Sequence, residues 1–168
     1  SRFPQHLDTI VTVPGPASTD GDFRTFAASL PASWTTADAA AAWRSAFDRT
    51  VVSAVLTVLT VADNLRSGGS IVTVVADSVS GSAPESAAKA ALSDWTTGQA
   101  DHLGTRGITI NTVACGRTAQ PDYAGLASTA PSVATEIARL ALFLSTPAAR
   151  HITGQTLHVG GGTAASYG

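Results

Sequence analysis

The chain has 168 residues, 44% of them hydrophobic and only 13% charged, with a formal net charge of −2 and a mean hydropathy of +0.18. That length suits one domain, read as the whole of 1–168, and so apolar a composition excludes a charge-rich disordered segment. Ten scattered cations against twelve acids leave no electrostatic footprint for nucleic acid.

The opening SRFPQHLDT has neither the basic region nor the apolar core of a signal peptide. With no methionine in the chain, residue 1 is not an initiator, and processing or a boundary is expected there. The first strand is predicted at 7–13, LDTIVTV, where β-branched residues alternate and then run apolar until Pro14-Gly15-Pro16, which cannot continue a ladder. Residues 16–35 are rich in Pro, Ser, Thr and Asp, with Phe23, Phe26 and Leu30 at helical spacing, so a short helix between turns fits. A long helix follows, with Thr36 as N-cap, Trp43, Phe47, Val51, Ala54, Val55 and Val58 on one apolar face, and Gly68-Gly69 as the stop. Its longest apolar stretch, 51–62, is broken by Ser53, Thr57 and Thr60 and is too short to span a bilayer, so no membrane contact is expected.

Residues 70–76 form a continuous β-branched run, the pattern of a strand covered on both faces. A helix over 82–103 ends at Gly104, and a strand at 107–114 leads into a loop that Cys115-Gly116 opens and that reaches to about Pro131. An amphipathic helix at 132–145 precedes a last strand at 155–159, stopped by three glycines at 160–162. Alternation of this kind implies an α/β unit of about four parallel strands joined by right-handed crossovers, with helices on both faces.

Four of these segments carry a family likeness. EIARLALFLSTPAARHITGQTLHVGGG at 136–162, GITINTVACG at 107–116, GGSIVTVVA at 68–76 and LDTIVTVPG at 7–15 stand in the order of the carboxyl-terminal half of the short-chain dehydrogenases/reductases, and the chain resembles that family, its ketoacyl-reductase branch in particular. The resemblance implies a partial Rossmann-like three-layer fold, amino-terminally truncated. It also implies hydride transfer between NAD or NADP and a carbonyl, with a tyrosine exchanging the proton, a lysine four residues on, a serine and an asparagine. Lys89, the chain's only lysine, matches the family's lysine. Glu85 stands at the tyrosine position, Ala76 at the serine position and Thr50 at the asparagine position, so three of the four catalytic side chains are replaced. The family's Asn-Asn-Ala-Gly signature reads Thr12-Val13-Pro14-Gly15, and its Pro-Gly corner reads Cys115-Gly116. A carboxylic acid, with an ordinary pKa near 4.3 against about 10 for a phenol, is a poor proton donor at neutral pH.

The family's glycine-rich cofactor turn has no counterpart before residue 7, and the glycine pairs and triplets elsewhere do not open helices. No cofactor is therefore expected, nor any cofactor-binding residue. Ser82-Ala83-Pro84-Glu85 fits a capping box, and Glu85 with Lys89 an i,i+4 ion pair, which accounts for Glu85 by helix-start chemistry. Asp77 reads as a turn residue, and neither Ser78 nor Ser80 recovers the serine's place in a connection shorter than the family's. His6, His102 and His151 share no metal-ligand spacing, and His158 reads as structural. Cys115 reads as a small buried residue, and as the only cysteine it excludes an internal disulfide and points to a reducing, cytoplasmic compartment. Tyr123 reads as a loop anchor; Trp34, Trp43 and Trp95 read as packing residues, with Trp95 on a helix the family uses between subunits.

Three functions compete at this point. The first is a non-catalytic subunit that forms a homodimer, or a hetero-oligomer with an active short-chain dehydrogenase, through the helices at 36–66 and 82–103. The second is an NAD(P)-dependent reductase seen as a fragment or completed by a partner. The third is a lyase or isomerase rebuilt around Glu85 as base, Lys89 as its electrostatic partner and Asp77.

Overall fold

A computed structural model describes residues 6–14, 35–76, 83–115 and 133–159. Four strands, β1 (Leu7–Thr12), β2 (Leu65–Ala76), β3 (Thr109–Cys115) and β4 (Thr156–Val159), form one parallel sheet in the order β1-β2-β3-β4. Between β1 and β2 a continuous helical run comprises α1 (Thr36–Phe47), a π-helical turn (Asp48–Val52), α2 (Ser53–Val61) and a 3-10 turn (Ala62–Asn64). Helix α3 (Ala83–Gly104) joins β2 to β3, and α4 (Val133–Leu144) lies between β3 and β4.

The helical run starts one residue earlier than its sequence suggests. Thr35, not Thr36, is the N-cap: its hydroxyl accepts from the Asp38 backbone N–H at 3.3 Å, and its own backbone N–H donates to the Asp38 carboxylate at 2.8 Å. With the Thr35 hydroxyl also donating to it, and then the backbone N–H, that carboxyl is held below the usual carboxylate range. The run does not reach Gly68-Gly69 either, because β2 begins at Leu65 and contains both glycines. The pairing Leu7↔Leu65 is followed by Thr9↔Ser70, so β2 bulges between its two partners. Gly68 takes φ +80°, and a Cβ on Gly69 would lie 2.9 Å from the carbonyl oxygens of Arg66 and Asp8. Glycine serves here to bend a strand around its neighbour.

Two hydrophobic layers sandwich the sheet. On one face Ile10, Ile71 and Ile110 meet Val58 and Val61 of α2 and Leu103 of α3, and Val75 meets Ala54 and Leu92. On the other, Val72, Val74 and Val113 meet Ala141 and Leu144 of α4, with Leu157 and Val159 beside them. Full burial of each such Ile, Leu or Val contributes roughly 1.5–3 kcal/mol, so both layers weigh heavily in stability.

This arrangement contradicts one expectation. The chain moves across the sheet in a single direction, yet α2 and α3 cover one face and α4 the other. The third connection therefore has the opposite hand from the first two, and right-handed crossovers do not hold throughout. The rule of hand is a strong tendency of strand-helix-strand units and not an absolute constraint.

A polar row also crosses the first layer. Thr12, Thr73, Thr112 and Thr156 are register partners on the four strands. The Thr12 hydroxyl donates to Thr73 at 3.0 Å, and Thr112 bonds Thr96 of α3 at 3.0 Å. All but Thr156 are buried.

Seen whole, residues 36–64 are long and apolar enough to cross a bilayer by length and composition, which counting the unbroken apolar run alone did not reveal. In the fold this helix covers the sheet through Ala54, Val58 and Val61, and Ala46 is buried on α1, which packs against α3, while Trp43, Val52, Leu56 and Leu59 are exposed. Trp43 is thus not a core residue; it stacks on Phe47 with ring centroids 6.4 Å apart. Trp95, half-buried, packs against both clusters of the first layer.

Candidate functional site

The four positions singled out in the sequence lie on the long helix, β2 and α3, three elements that one small cluster of Ala54, Val75 and Leu92 ties together. Thr50 lies four residues before Ala54, one turn up the same side of its helix, inside the π turn. Ala76 follows Val75 as the last residue of β2, in register with Cys115 on β3. Lys89 and Glu85 lie three and seven residues before Leu92, on the side of α3 that this leucine anchors. The π turn packs directly on α3. Ala76 ends its strand at the carboxyl edge of the sheet, where doubly wound folds place their ligands.

Glu85 and Lys89 are half-buried, and neither side chain is free. Glu85 is the third residue of α3, as a capping box requires, although Ser82 lies outside the described residues. Thr50 is half-buried. The π turn around it was not foreseen. The Ser53 backbone N–H reaches the Asp48 carbonyl, five residues back, a widened turn of the kind found often at functional sites.

Asn111 is a second residue that sequence reasoning passed over. It is 1% exposed on β3; its amide donates to the Ile152 carbonyl at 2.8 Å and its carbonyl accepts from the Gln155 N–H at 3.1 Å. A polar amide inside a β-branched run was the available signal, since asparagine is depleted in strands. The same turn is held by the Ile110 N–H donating to the Thr153 hydroxyl and by the Thr97 hydroxyl donating to the Gly154 carbonyl. These bonds lie at the edge of the sheet away from Lys89 and anchor β4 rather than a ligand.

Among the described residues no group of three or more His, Cys, Asp or Glu could hold a metal. His6, His102, His151 and His158 are all exposed, and Cys115 is half-buried with a partner. Asp77, Ser78, Ser80, Tyr123, Trp34 and the glycines at 160–162 lie outside the described residues. The described glycines sit in β2 (68 and 69), in α3 (98 and 104) and in the turns leading into β3 and β4 (107 and 154). The connections from a strand's end to the next helix, where backbone amides would hold a pyrophosphate, lie largely outside the described residues.

Comparison with known proteins places this geometry in context. A family model described as enoyl-(acyl carrier protein) reductase matches residues 20–164. A putative oxidoreductase of Mycobacterium tuberculosis is 61% identical over 166 residues, covering 99% of this chain and 71% of that protein. The 3-oxoacyl-[acyl-carrier-protein] reductase of Escherichia coli K12 is 39% identical over 94 residues, 49% of this chain and 38% of its own length. Among solved structures, acetoin dehydrogenase from Enterobacter cloacae superposes with a TM-score of 0.67 at 27% identity over 94% of this chain and 64% of its own. A short-chain dehydrogenase/reductase of Serratia marcescens gives 0.63 at 25% identity, with 94% of this chain and 66% of that one covered. The chain thus spans just under two thirds of these solved relatives.

Proposed function

The chain belongs to the short-chain dehydrogenase/reductase family, and from that premise we propose that it is a non-catalytic subunit, pairing with itself or with an active dehydrogenase through the helices at 36–66 and 82–103. The observation that carries this reading is Glu85. It stands one turn before Lys89 on α3, where the family's proton transfer calls for a phenol. A carboxylate there satisfies a helix start and does not supply that proton. The exposed Val52, Leu56 and Leu59 recur every three or four residues on the long helix, and α3 carries the small Ala90, Thr97 and Gly98 at its surface. Together they suit the close approach of a partner's helices. The single Cys115 accords with a reducing, cytoplasmic setting.

The test is a fluorescence titration of the isolated chain with NADPH and NADH. No saturable binding is expected, and micromolar binding would overturn the reading.

One observation favours a second reading, that of an NAD(P)-dependent oxidoreductase completed by another chain. The π turn at Thr50 packs against α3, the helix that carries Lys89, a framework on which such chemistry would be built. On that reading, turnover appears only when the partner is added.

A further inference from the structure

We draw no further inference here: the strongest candidate, the outer edge of β1 with Val11 and Val13 exposed on the face that α4 leaves bare, carries nothing because nothing in the structure shows what covers it.

Discussion

Glu85 occupies the third position of α3, where a carboxylate meets the unpaired N–H groups and the positive end of the helix dipole. Replacing it with Gln keeps the shape and removes the charge. The expected loss is about 1 kcal/mol or less in urea unfolding, whereas a site using Glu85 as base would lose turnover with an unmoved unfolding curve. Asn111 works on a larger scale of energy. Asn111→Leu leaves the Ile152 carbonyl and the Gln155 N–H without their partner in a buried place, and the expected cost is about 2–4 kcal/mol. Thermal unfolding reads that loss directly; a shift corresponding to under 1 kcal/mol would mean that water or the backbone takes over both bonds. The position of Glu85 was legible because helix starts have a sequence grammar. The role of Asn111 was not, since its two partners lie more than forty residues away in the chain.

Helix α3 is placed by a stripe of inward residues, Ala88, Leu92, Thr96 and Leu103, of which only Thr96 carries a hydroxyl. Its bond to Thr112 fixes the helix to the middle of the sheet. Thr96→Val should cost about 1–2 kcal/mol, because the buried Thr112 hydroxyl loses a partner. Adding Thr112→Val should restore more than half of that loss, as apolar groups of the same shape fill both places. A double variant as unstable as the sum of the singles would show that the pair does not act as a unit. At this scale the sequence was informative where β-branched runs met stop residues, as at 70–76, and misleading where a glycine had two meanings. Gly68-Gly69 has the composition of a helix stop, yet the pair bends β2 around β1. The π turn left no trace in composition, because a hydrogen bond one residue longer demands no particular side chain.

For the molecule as a whole, the parallel order of the strands followed from their alternation with helices, and the hand of the last connection did not. The apolar residues of the long helix were visible as a set, but which of them faced water was settled only by packing. Burial of Ala54, Val58 and Val61 turned Val52, Leu56 and Leu59 outward. Leu56 is 55% exposed and Leu59 65%. If this stripe is the pairing surface, Leu56→Asp should convert an oligomer into a monomer in sedimentation while leaving the unfolding free energy of the subunit within about 0.5 kcal/mol, as surface substitutions generally do. A wild-type chain that sediments as a monomer, alone and with a dehydrogenase partner, would end the subunit reading.

The change of face after β3 also orders the making of the protein in time. By the moment Cys115 leaves the ribosome, the elements of the first layer, from Ile10 to Ile110, have all been synthesised and can close on one another. Val72, Val74 and Val113 on the reverse of the sheet must wait for Ala141, Leu144 and Leu157. For that interval Val72, Val74 and Val113 lack the residues of α4 and β4 that pack on them. The last quarter of the sequence acts as the closing half of a sandwich rather than as one more repeat of it.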